Sequence, residues 1–373
     1  FRFQSSPARV LAALIVLFAS FIYMTAVFKG IGNLLEAMLE IPYAVAIGLV
    51  WLIVTVYTAA GGFHSVVRTD VTQGMFMVLA AALLFAGTAR AAGGIGVLRE
   101  IATADETAGL FDWNAGIAFP LLLGVLFATT VKFVVEPRQL SRFYALSDAR
   151  AARVGVWVST LSFLVIFSLL APIGLYAHRI LTSPIDDTDR VVPELLVMEG
   201  VFGTPVQAFL FLAILSAALS SLDSVLLVVA STFQRDVWQL LRSKSDPDST
   251  TVRQTRVWVA FFALVTAGIA LDPPGGIVEL TSFSGALYGA CFLPAVILGL
   301  HWRRGNGLAV LASFAAGILV LTLWGRLDLA ESIHSVFPAI VLSILAYVVI
   351  ALTTPEVREP SITALFDDQA GKT

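Results

Sequence analysis

Ten apolar runs constrain this chain more than any other feature, because each is close to the length a helix needs to cross hydrocarbon. They cover residues 8–28, 43–60, 71–89, 117–135, 154–177, 206–233, 257–271, 277–300, 308–323 and 337–352. A bilayer core takes about 20 mostly apolar residues per helix. The first run continues past the membrane to Leu39. The runs are continuous rather than alternating, which excludes a closed barrel and predicts an all-α polytopic membrane protein. Composition agrees: 13% of residues are charged and the mean hydropathy is +0.89. A soluble domain carries nearly twice that charge fraction. The net charge of -3 gives no reason to expect a nucleic-acid partner, and the lone Cys291 can form no internal disulfide.

Loop charge predicts orientation. One set of alternate connections carries Arg2 and Arg9, then His64 and Arg68, then Arg138, Arg142, Arg150 and Arg153. The same set continues with Arg235, Arg242, Lys244, Arg253 and Arg256, and ends with His301, Arg303 and Arg304. The intervening connections hold Glu36 and Glu40, then Glu100, Asp105, Glu106 and Asp112, then Asp186, Asp187, Asp189, Glu194 and Glu199. The positive-inside rule places the basic set, and both termini, in the cytoplasm of a cell-membrane protein.

Glycine and proline mark the breaks. Gly61-Gly62 is expected to end the second helix, with Thr69-Asp70 opening the third as an N-cap. Gly93-Gly94 follows the third, Pro137 stops the fourth, and Pro273-Pro274-Gly275-Gly276 makes a tight connection before the eighth. No soluble domain intervenes, so residues 1–353 read as one transmembrane domain and 354–373 as a short cytoplasmic tail. The chain begins Phe1-Arg2-Phe3 without Met, which reads as a missing N-terminal piece.

The sixth run is where chemistry concentrates. Residues 215–224 read Leu-Ser-Ala-Ala-Leu-Ser-Ser-Leu-Asp-Ser, with hydroxyls and a carboxylate where hydrocarbon is expected. An intramembrane charge costs several kcal/mol unless paired or hydrated, so Asp223 is a functional candidate. Hydroxyl, carboxylate and carbonyl oxygens are what a hard cation takes. Ala217, Ser220, Ser221 and Ser224 recur at helical intervals, so one face can present them together. Close helix packing by small residues is the rival account for the serines. Asp70 is an N-cap or lines an ion path. Lys29 either snorkels to the interface or meets a substrate carboxylate, and Tyr23 either lines the pathway or packs. Lys132 and Glu136, four apart, can pair on one helix face. The four histidines lack metal-ligand spacing.

Gly61-Gly62 followed by Val66-Val67-Arg68-Thr69-Asp70-Val71-Thr72-Gln73 resembles the "GG…AV…TD..Q" motif of the sodium:solute symporter family. Residues 216–224, running on to Ser231 and Asp236-Val237-Trp238, resemble its sodium-site helix. Glu136-Pro137 with Arg142-Phe143 resembles its "QP….RF" loop, with Glu136 where glutamine is usual. Trp302-Arg303-Arg304 with residues 305–307 resembles its "W.R….G" loop.

The resemblance implies a LeuT-like fold of inverted repeats and sodium-coupled symport of a small organic solute by alternating access, not enzymatic chemistry. It implies Na⁺ as the coupling ion, with no organic cofactor. It makes Ala217 (by carbonyl), Ser220 and Ser221 ligands of the main Na⁺ site, and Asp70, Asp223 and Ser224 those of a second site. It puts Thr129, Thr130 and Phe133 at substrate and inner-gate contacts, beside the candidates Tyr23 and Lys29. A backbone-bonded threonine pair and a core phenylalanine are the rival reading there. The family has about three further helices ahead of the position of Phe1. A transporter-like sensor module and a proton-coupled symporter are the alternatives. No His-Glu-x-x-His or Gly-x-Ser-x-Gly pattern supports an intramembrane enzyme.

Overall fold

The computed structural model describes residues 2–104, 109, 117–144, 146–181, 185–242 and 248–355, with the side chains of 60–69, 248–250 and 331 excepted. Asp105, Glu106, Asp112, Lys244, the side chains of His64 and Arg68, and nearly all of the expected tail lie outside that set. The described residues form helices and no strand. In chain order these are α1 (Ser6–Leu39), α2 (Tyr43–Ala92), α3 (Val97–Thr103), α4 (Phe119–Val135), α5 (Pro137–Tyr144), α6 (Ala149–Leu170) and α7 (Ile173–Ile180). They continue as α8 (Val191–Val197), α9 (Thr204–Thr232), α10 (Gln239–Arg242), α11 (Asp248–Ala270), α12 (Ile277–His301), α13 (Gly307–Leu323) and α14 (Val336–Thr353). Among them, seven stretches are long and apolar enough to cross a membrane, or eight with the bent pair α4–α5 taken as one span. All ten apolar runs of the sequence fall on these helices.

Local chemistry sets the ends. The Ser5 hydroxyl accepts the Ala8 N–H to start α1, Asp148 caps α6 through Ala151 N, and Asn306 caps α13 through Ala309 N. Gly93 at φ 108° and Gly94 at φ 99° turn the chain out of α2 through left-handed backbone that favours glycine. Pro137 cannot continue α4, so Glu136 takes an extended conformation and α5 leaves at 42°.

The expected cap at Thr69-Asp70 is corrected, while the expected break at Gly61-Gly62 falls between the apolar stretches Tyr43–Ala59 and Asp70–Ala92. Helical backbone runs from Tyr43 to Ala92, and Asp70 lies inside it. The two halves of α2 nevertheless run in opposite senses. Tyr43 donates its hydroxyl to Ala270 O (2.9 Å), and Arg90 donates to Val201 O (3.0 Å), both at the end of the bundle that holds Lys29. Thr58 lies with Arg235 and Thr251 at the opposite end, where Arg9 pairs with Asp236, and Asp70 meets Ser224 through Arg142. The reversal therefore falls within residues 60–69, and the two expected spans stand.

Three apolar clusters hold the bundle. One joins the first half of α1 to α4, α12, α13 and α14. A second joins the rest of α1 to the first half of α2, α9 and α11. A third joins the second half of α2 to α7, α8 and the start of α9. Lipid is as apolar as leucine, so helix association in a membrane depends on close packing and hydrogen bonds. Gly285 shows the packing: a Cβ there would lie 2.4 Å from the Ala128 carbonyl oxygen, so α4 and α12 touch backbone to backbone. None of the residues of α6 is buried, which puts that helix at the periphery.

Candidate functional site

The oxygen-rich turn belongs to α9, a helix that packs against α1, α2, α5 and α11. Ser220 donates its hydroxyl to Ala217 O (2.9 Å), and Ser224 donates to Ser220 O (2.9 Å). Each hydroxyl thereby turns its hydrogen to the backbone, which leaves the Ser220 lone pairs free for a cation, while Ser224 Oγ also accepts from Arg142 (3.2 Å). Ser221 is half-buried beside them. Asp223 is 0% exposed, and its Oδ2 has no hydrogen-bond partner among the described residues. A buried carboxylate oxygen left in this way is costly, and it marks the place as one built for something other than packing.

Asp70 comes to the same place from α2. Arg142 of α5 donates to Asp70 Oδ2 (2.6 Å) and to Ser224 Oγ (3.2 Å). Asp70 Oδ1 is buried without a partner among the described residues. Gln73, one turn further along α2, donates to Ser216 O (3.3 Å) and leaves its own Oε1 unpartnered. The structure thus unites Asp70, Asp223 and Ser224, as expected. It adds Arg142 and Gln73, which the sequence displays only as letters of a motif. Their roles depend on contacts across 72 and 143 positions, which no local pattern reveals.

The break between α4 and α5 holds a buried cationic cluster. Lys132 is 4% exposed and its ammonium lies 3.6 Å from the centre of the Tyr23 ring, a close cation–π contact. Glu136 pairs with Arg138 (3.3 Å) and not with Lys132, which corrects the expected four-apart pair. The reason is the extended backbone at Glu136, which removes it from the face of α4. Tyr288 of α12 hydrogen-bonds Ser20 of α1 (3.0 Å) next to this cluster.

The other substrate candidates are dispersed. Thr129 and Thr130 return their hydroxyls to the carbonyls of Val125 and Leu126. Thr130 and Phe133 face out of the bundle, Phe133 being 46% exposed, so it is not a core phenylalanine. Tyr23 is half-buried under Lys132. Lys29 neither snorkels nor stands open: it pairs with Asp189 (2.7 Å) and Asp187 (2.9 Å), and Asp189 also accepts the Ile277 N–H at the start of α12 (2.9 Å). The Lys29 ammonium holds the Asp187 carboxyl below the usual carboxylate range. Among the described residues no group of three His, Cys, Asp or Glu side chains could hold a metal.

A multi-span helical bundle with a proline-broken span and an oxygen-lined turn on a neighbouring helix has the architecture of a membrane transporter. The chain belongs to the sodium:solute symporter family, whose model matches residues 1–317. It is 28% identical over 363 residues to the osmoregulated proline transporter OpuE of Bacillus subtilis, covering 95% of this chain and 72% of the relative. It is 26% identical to the sodium/pantothenate symporter of Haemophilus influenzae, covering 94% and 72%. Its fold matches that of a Na⁺-coupled sialic acid symporter solved in a substrate-bound outward-open state, with a TM-score of 0.77 at 20% identity over 96% of this chain and 76% of that one.

Proposed function

We propose that this protein couples the entry of Na⁺ to the uptake of a small organic solute across the cell membrane, with residues 1–353 as the transporter domain and both described ends in the cytoplasm. The polar turn of α9 carries this reading: the Ser220 hydroxyl and an oxygen of Asp223 with no partner among the described residues lie together in an otherwise apolar span. Ala217, Ser220 and Ser221 hold the main Na⁺. The electrical gradient supplies about 2.3 kcal/mol per charge per 100 mV. Ion binding favours the conformation that holds solute near the midplane, and rocking of the bundle then opens the cytoplasmic side.

Asp70, Asp223 and Ser224 form a second cation position lower on the same path. Arg142 already neutralises Asp70 there, so a second Na⁺ requires α5 to withdraw its guanidinium. The α4–α5 break beside Lys132 and Tyr23 is the hinge for that movement. The experiment is uptake of radiolabelled proline and pantothenate, the solutes of the relatives, into vesicles holding the full chain. Accumulation that follows an imposed Na⁺ gradient supports symport. Accumulation that follows a pH gradient with Na⁺ absent replaces Na⁺ by H⁺. Binding of either solute with no gradient-driven accumulation supports the sensor reading.

A further inference from the structure

A cavity lies away from the oxygen-rich turn, where the first half of α2, the last turn of α9 and the start of α11 meet near Arg9. It encloses about 460 Å³, within the range of small-ligand sites. Its mouth carries Arg235 and Arg256, neither of which has a carboxylate in ion-pair reach among the described residues. Asp236 also lines it, but that carboxylate is held by Arg9 at 2.7 Å, so the lining retains an excess of positive charge. Deeper in, Thr58 is 1% exposed and its hydroxyl has no hydrogen-bond partner among the described residues. Ser231 and Thr255 are different, since they donate to Val228 O and Thr251 O. Thr58 is thus the buried lining hydroxyl still able to donate.

Depth in the membrane narrows the ligand. Next to the cavity, Trp238 and Trp258 lie 5.2 Å apart with Phe233 against both, and Arg242 lies over Trp238 at 4.3 Å. Tryptophans with arginines at a helix end mark the headgroup level of a bilayer. Leu227 and Val259 supply an apolar wall below the arginines. Two guanidiniums suit the oxygens of a phosphate, and basic pockets between membrane helices take phosphate headgroups.

We propose that this cavity binds the phosphate of an anionic lipid, with Arg235 and Arg256 pairing with its charge and the Thr58 hydroxyl donating to one of its oxygens. The test places the full chain in nanodiscs of phosphatidylcholine with or without phosphatidylglycerol. It reads the unfolding midpoint and, by native mass spectrometry, the number of retained lipids. Phosphatidylglycerol should raise the midpoint of the wild-type chain by several degrees. Arg235→Gln with Arg256→Gln should lose most of that rise and bind several-fold less of the lipid. Thr58→Val, which keeps the shape, should lose part of it, and it carries the test if the paired variant does not fold. Arg326→Gln, an exposed charge elsewhere, should keep the full rise. Equal rises in the wild type, the paired variant and Thr58→Val would overturn the site. A rise produced by inorganic phosphate in pure phosphatidylcholine, equal to that from the lipid, would overturn the lipid as its source.

Discussion

Two buried polar stretches of this bundle are built alike and finished differently. On α12, Ser284 donates to Ala19 O (2.8 Å), Tyr288 bonds Ser20 (3.0 Å), and Ser282 bonds His334 (3.1 Å). On α9, Ser220 and Ser224 bond their own helix, and the carboxylates beside them keep oxygens unpartnered. Both stretches interrupt apolar helices with small and hydroxylated residues. The first uses its polar groups to hold helices together, and the second leaves carboxylate oxygens without partners among the described residues. Polarity within a membrane helix is therefore a poor signal of function until its partners are counted.

Substitutions should separate the two stretches by what they change. The largest effect is expected at the packed one. Gly285→Ala forces a Cβ to 2.4 Å from the Ala128 carbonyl, so α4 and α12 must part. A loss on the order of 1–3 kcal/mol of stability should follow, read as a lower unfolding midpoint in detergent, with the Na⁺ dependence of the surviving protein unchanged. Asp70→Asn and Asp223→Asn should do the reverse. Each should raise the Na⁺ concentration for half-maximal uptake roughly tenfold, or about 1.4 kcal/mol, at near-normal protein levels. If transport and its ion dependence survive both changes, the second cation position does not exist. Ser220→Ala and Ser221→Ala should each weaken Na⁺ dependence about fivefold, near 1 kcal/mol for one lost oxygen ligand.

The smallest effect belongs to the partly buried Lys29–Asp187 ion pair. Asp187 has a carboxyl held low by that ammonium, so its contribution is present at neutral pH. It fades as pH falls below about 4, the unfolded carboxylate value, and through the lower native one. Asp187 is partly exposed, which limits its worth to a few tenths of a kcal/mol. Asp187→Asn should therefore lower the midpoint slightly at pH 7 and not at all in strong acid. An equal loss at both would assign the effect to packing.

Much of what depends on local pattern is legible in the sequence. Apolar runs placed the helices, Pro137 placed the bend, and the Ser220–Asp223 spacing put the oxygens on one turn. What it withheld is pairing over distance. Lys29 finds Asp189 across 160 positions and Asp70 finds Arg142 across 72, and no periodicity encodes such partners. The Lys132–Glu136 pair failed for a local reason, because helical spacing ceases to apply at the extended residue before a proline. The glycine pair at 61–62 falls in the stretch where α2 reverses, although helical backbone carries through it.

The central claim is that the oxygens of α9 hold Na⁺. Binding of radioactive sodium to the purified full-length protein, competed with unlabelled Na⁺ and with K⁺, measures this without needing to know the solute. The account predicts saturable binding that Na⁺ displaces and K⁺ does not, lost in Ser220→Ala with Ser221→Ala and retained in Ser284→Ala on the packed stretch of α12. Undiminished sodium binding in the paired α9 variant would contradict it.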